Sequence, residues 1–135
     1  MLRIRNVWFG IDDASGGSVT PSDYEADAPT GTMQLATGTQ TSIKAMSDDR
    51  VIATQQYYYQ AVDVNGASTA PSWFAILPVP DMGFYVASDA LTFMQKNDGN
   101  SFDTDTRYLC VFEAERVKLT AADVNFLLVN QTQTG

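Results

Sequence analysis

The sequence predicts an all-β protein, a single-domain β-sandwich or jelly-roll-like barrel of about eight strands. Three observations carry that expectation. Apolar and polar residues alternate at period two in several short segments, as in strands with one buried face. Turn residues such as Asn65-Gly66 and Asn97-Asp98-Gly99-Asn100 separate these segments. No stretch combines the length and the 3.6-residue apolar period of a long helix. With 135 residues and 44% hydrophobic content, one domain over 1–135 with its own core is expected.

The elements follow in order. Leu2, Ile4 and Trp8 alternate with Arg3, Arg5 and Val7, giving a first strand that ends at Gly10. Residues 10–31 are rich in Gly, Ser, Asp and Pro and read as a long flexible loop or arm, with Tyr24 its only aromatic. Met33 to Met46 is Thr-rich and reads as two short strands around Thr37-Gly38, and Asp48-Asp49 as a turn. Arg50 to Val64 is long and β-prone. On it Tyr57, Tyr59 and Ala61 share one face and Tyr58, Gln60 and Val62 the other. Gln60 marks the second face as the wetter, so Tyr57 and Tyr59 are the expected buried pair.

Ser72 to Val79 is a further strand, which Pro71, Pro78 and Pro80 confine to an edge or to short pairings. Phe84 to Gln95 reads as the next. Thr106 to Leu119 is the clearest late strand, with Tyr108, Cys110, Phe112 and Ala114 on one face and Leu109, Val111, Glu113 and Glu115 on the other. At the end, Thr120 and Asp123 outline a capping box, which makes AADVNFLL a short C-terminal helix. Val124, Phe126 and Leu128 also alternate, which suits a strand, and both readings stay open. The tail at 130–135 is polar.

Composition narrows the function. Net charge is −8, with eight acids and four bases in each half and no charged tail. Such a surface repels phosphates and anionic lipid, so neither nucleic acid nor membrane is an expected partner. There is no His, which removes Ser-His-Asp and Cys-His catalysis and the usual zinc sites. The single Cys, Cys110 in YLCVF, has no intrachain partner and reads as a buried thiol. The opening MLRIRNVWF has no long apolar run, so the expectation is a cytosolic product or one exported without a general signal peptide. The expected protein is not an enzyme and needs no cofactor.

Candidate sites are sparse. Asp98, Asn100, Asp103 and Asp105 offer alternating oxygen ligands suited to Ca²⁺, without the spacing of an EF-hand; a solvated turn is the plainer reading. Asp12-Asp13 and Asp23-Glu25-Asp27 are acids in a loop, where a glycosidase pair would need a rigid scaffold. Gly10, Gly16 and Gly17 lack the Lys-Ser/Thr of a phosphate loop. Tyr57, Tyr58, Tyr59, Trp73 and Phe74 could stack on sugars, although period two turns half of them inward. Asp12, Asp13, Tyr24, Tyr58 and Trp73 are the residues expected to meet a partner.

Residues 57–72, YYYQAVDVNGASTAPS, locally resemble the terminal hairpin of bacterial fibronectin type III domains, through Tyr57, Tyr59, Ala61, Val62, Asp63, Gly66, Ser68, Pro71 and Ser72. In that family the hairpin closes the domain, whereas here 63 residues follow Ser72, and the one early Trp is Trp8 in the first strand. The whole chain, small, acidic, rich in Thr and built of strands around a long loop, is similar in general character to small bacteriophage virion proteins. That resemblance implies a capsid decoration (cement) protein or a tail or neck component. It would be a homo-oligomer or bind other virion proteins such as the major capsid protein, and would be found in the virion after assembly in the host cytoplasm. The other class that fits is a carbohydrate- or cell-surface-binding β-sandwich module.

Overall fold

A computed structural model describes residues 1–17, 19, 29–59, 72–99, 101–102, 105–118 and 120–132. The fold is the expected all-β sandwich. Among the described residues it has seven strands in two antiparallel sheets and one helix, against the eight or so strands expected. The strands are β1 (Leu2–Asp13), β2 (Thr30–Thr37), β3 (Val51–Tyr58), β4 (Ser72–Leu77), β5 (Phe84–Val86), β6 (Leu91–Asn97) and β7 (Thr106–Arg116). The first sheet has the order β5-β1-β7 and the second β4-β3-β2-β6.

The core lies between the sheets. Ile4 and Ile11 of β1 and Val86 of β5 meet Met33 and Leu35 of β2 and Ile52 and Tyr57 of β3 in two adjoining clusters. The Phe9 and Phe93 rings, one from each sheet, lie 6.0 Å apart. Tyr57 and Tyr59 are the buried pair of the tyrosine run, at 1% and 3% exposure, while Tyr58 is half-buried. The Tyr57 ring covers Gly31 on the neighbouring strand, where a Cβ would lie 2.6 Å from Lys96 O.

Several expectations are corrected. The first strand continues past Gly10 to Asp13, because Ile11, Asp12 and Asp13 pair with Tyr108, Arg107 and Thr106. Its faces are not those the simple alternation gave. Ile4 pairs with Ala114 and Asn6 with Glu113, so Arg5 is an extra residue in a β-bulge. After the bulge Val7, Phe9 and Ile11 point to the core, and Trp8 turns to solvent. The long loop is correspondingly shorter, since Thr30 and Gly31 already belong to β2. Val19 packs back on the cluster around Tyr57; residues 18 and 20–28 lie outside the described residues.

Met33 to Met46 supplies one strand, not two. At Gly38 the backbone takes φ +74°, and the chain leaves the sheet to fold across its outer side. There the Gln34 amide donates to Lys44 O (2.9 Å) and Thr54 Oγ1 (3.0 Å) and accepts from Lys44 N–H (2.9 Å). This satisfies a fully buried Gln and leaves β2 covered on both faces. Phe84 to Gln95 is two strands. Ser88 bonds Gly38 N–H (3.0 Å) and Ala90 O (2.9 Å) where the chain passes from the first sheet to the second.

The C-terminal segment, open between helix and strand, is the helix α1 (Ala121–Thr132). Thr120 Oγ1 accepts from Asp123 N–H (3.2 Å) and its hydroxyl donates to Asp123 Oδ2 (2.7 Å), the cap the sequence outlined. Buried Gln131 docks the helix on β5, accepting from Ala87 N–H (3.0 Å) and donating to Tyr85 O.

Candidate functional site

The candidate site is the outer face of the first sheet. Past the bulge, β1 presents Asn6, Trp8, Gly10 and Asp12 outward, and their β7 partners Glu113, Val111, Leu109 and Arg107 stand on the same side. The middle of this ladder is apolar. Trp8 is 53% exposed, Val111 60% and Leu109 37%. Gly10 leaves a shallow notch beside Leu109, whose side chain would lie 3.7 Å from an added Cβ. Trp8, Leu109 and Val111 together form a belt of three partly exposed apolar side chains on one face of the sheet.

Charge frames the belt. At one end Arg107 lies 3.8 Å from Asp12. At the other, Arg3 and Arg5 both reach the Glu115 carboxylate, Arg5 at 3.4 Å, and Asn6 donates to Glu113 at 3.4 Å. A second exposed apolar pair, Phe126 and Val129, lies on α1.

Titration behaviour elsewhere is structural. Burial pushes the thiol of the half-buried Cys110, which the sequence led one to expect buried, up to about 11. Burial, reinforced by the neighbouring Tyr108, raises the Tyr57 hydroxyl well above the usual range. The Ser15 hydroxyl, together with backbone N–H groups, holds the Asp13 carboxyl below its ordinary value.

The residues singled out from the sequence fall in different places. Asp12 edges the belt beside Arg107. Asp13 holds a turn, its Oδ1 accepting from the Ser15 N–H (2.8 Å), the Ser15 hydroxyl and the Gly17 N–H (3.2 Å). Tyr58 closes β3 opposite Ser72, and Trp73 pairs with Tyr57 across β3 and β4, so both lie on the second sheet, away from the belt. Tyr24 lies outside the described residues, as do Asn100 and Asp103 and most of the 57–72 hairpin. Of the remaining candidate calcium ligands, Asp98 accepts from Thr32 Oγ1 at 2.9 Å, and Asp105 precedes β7. Among the described residues no group of three or more Cys, Asp or Glu is placed to hold a metal ion.

Sequence reasoning missed Trp8, Leu109 and Val111 as surface. Simple alternation grouped Trp8 with Leu2 and Ile4, because the bulge at Arg5 has no Gly or Pro to announce it. Leu109 and Val111 share a face with Glu113 and Glu115, and that mixture was the available signal. The chain matches no family model, no curated protein and no solved structure.

Proposed function

We propose that the protein is a non-enzymatic structural component of a repetitive assembly, and that the assembly is a bacteriophage virion. In that reading it is a capsid decoration (cement) protein or a tail or neck piece, in contact with proteins such as the major capsid protein. The observation that carries the reading is the belt of Trp8, Leu109 and Val111. It sits on a sheet with an apolar centre and a charged rim, the layout of a protein–protein contact. A sheet-borne contact of fixed shape suits a subunit that must make the same contact many times.

The test is mass spectrometry of purified particles, followed by rebinding of the isolated protein to particles stripped of it. The reading predicts many copies per particle and rebinding that Val111→Lys abolishes. Absence from particles would remove the virion reading. If absence came with binding to a glycan array that Trp8→Ala abolished, the protein would be a sugar-binding module, with the Trp8 ring as its stacking platform.

A further inference from the structure

Strand β7 ends its sheet. Among the described residues it pairs with β1 alone, so one edge of its eleven residues faces outward. The backbone shows which groups lie there. Ala14 N–H donates to Asp105 O (2.9 Å) and Val117 N–H to Met1 O (3.0 Å). Hydrogen-bonded and non-hydrogen-bonded pairs alternate along an antiparallel ladder. The odd-numbered residues of β7 therefore direct their N–H and C=O groups to β1. Thr106, Tyr108, Cys110, Phe112 and Ala114 direct theirs to the open edge. The bulge adds its residue to β1 and leaves this alternation in β7 intact. Edges of this length are commonly blunted by Pro, charged side chains or a bulge of their own; β7 has no Pro, Lys or bulge, and its charges, Arg107, Glu113, Glu115 and Arg116, are of both signs.

We propose that this edge pairs with the same edge of a second copy, antiparallel about a two-fold axis at Cys110. Two three-stranded sheets then become one of six strands. The pattern of β7 itself selects a second copy as the occupant. With Cys110 opposite the second copy's Cys110, Arg107 falls opposite Glu113, Leu109 opposite Val111, and Tyr108 opposite Phe112, each twice. The first two are non-hydrogen-bonded pairs, in which side chains approach most closely. Among the described residues Glu113 accepts a side-chain hydrogen bond from Asn6 alone, whereas Glu115 already holds Arg3 and Arg5. Moving the axis one residue toward Val111 sets Leu109 against Glu113. Moving it one residue the other way sets Arg107 against Val111. The cost of the chosen register is Glu115 opposite Asp105 at the strand ends, where Arg3 and Arg5 neutralise Glu115. Pairing also lays the two Trp8–Val111–Leu109 belts side by side, doubling the apolar face.

The experiment is sedimentation of the full chain and of two charge reversals, with folding checked by circular dichroism. Wild type is expected at twice 14.7 kDa. Arg107→Glu and Glu113→Arg each set like charges opposite one another twice, and each is expected to sediment as a monomer, with dimer affinity down at least tenfold. Mixed in equal amounts, the two variants restore opposite charges at every pair and are expected to dimerise. Should either variant fail to fold, Val111→Lys, at an exposed position, tests the same edge by its monomeric mass. A wild type that stays monomeric to its solubility limit overturns the proposal. So do single reversals that dimerise like wild type, or a mixture that stays monomeric. The pairing stands on the geometry of the sheet, so its failure leaves the virion reading to be decided by particle composition.

Discussion

Replacing Tyr57 should unfold the protein at a markedly lower temperature, while replacing its neighbour Tyr58 should do little. Tyr57 is 1% exposed. Its ring stacks on Phe102 at 6.3 Å and lies 6.2 Å from Tyr108 and 6.3 Å edge-on from Tyr59. Its hydroxyl accepts from Gln95 Nε2 (2.9 Å) and donates to Asn97 Oδ1 (3.2 Å). Truncating such a ring costs about 3–5 kcal/mol in lost transfer energy and cavity. An unfolding entropy of about 2.1 cal/mol/K per residue gives this chain roughly 0.28 kcal/mol/K, so Tyr57→Ala should lower Tm by about 10–18 °C.

Tyr57→Phe keeps the ring. It should cost only about 1 kcal/mol, because Gln95 Nε2 also donates to Asn97 Oδ1 at 2.7 Å and the two amides keep each other paired. Tyr58→Ala, at a half-buried position, should cost about 1 kcal/mol, or about 4 °C. Calorimetric melts of the three variants are the assay. A Tyr58→Ala protein less stable than Tyr57→Ala would place β3 one residue out of register and exchange the faces of the second sheet.

Three further outcomes are expected from thermal or chemical melts. Gly31→Ala should destabilise by about 1–3 kcal/mol, since a Cβ there meets the Tyr57 ring and Lys96 O at 2.6 Å; a neutral substitution would mean that the ring does not lie on Gly31. Thr37→Val should be neutral or stabilising by up to about 1 kcal/mol, because the buried Thr37 hydroxyl has no hydrogen-bond partner among the described residues; a clear loss would reveal one. The Arg50 guanidinium grips Asp48 through Nε (2.9 Å) and Nη2 (2.7 Å) and holds its carboxyl down to about 2. A carboxyl depressed on folding adds stability that is complete above its unfolded value near 4 and is lost as pH falls through about 2. Asp48→Asn should therefore remove about 1–2 kcal/mol at pH 7 and flatten the decline between roughly pH 4 and 2, and an unchanged acid profile would contradict this.

Much of the fold was legible because burial and period two act on the same residues. Alternation placed Tyr57 and Tyr59 on one face, with Gln60 marking the other as wetter, and grouped Tyr108 with Cys110. The helix cap was readable because Thr120 and Asp123 act through local hydrogen bonds. What escaped depends on distant partners or on geometry without a residue signature. Arg5 has ordinary strand chemistry, so the bulge that turns Trp8 outward is fixed only by pairing with β7. Gln34 and Thr54 carry no burial signal of their own, and they are buried because residues after Gly38 fold over them. The break between β5 and β6 is set by Ser88 and Gly38, 50 residues apart. The belt was hidden for the same reason as the bulge, and the open edge of β7 exists only once the strand order is known.

Amide hydrogen exchange along β7, measured across a range of protein concentration, tests most directly whether this flank of the sheet is where the protein assembles. The odd-numbered amides from Arg107 to Glu115 bond to β1 and should be protected at every concentration. The amides of Tyr108, Cys110 and Phe112 face the open edge, and should exchange fast when dilute and become protected as concentration rises. Fast exchange of those three at all concentrations, with wild type sedimenting as a monomer, would contradict the account.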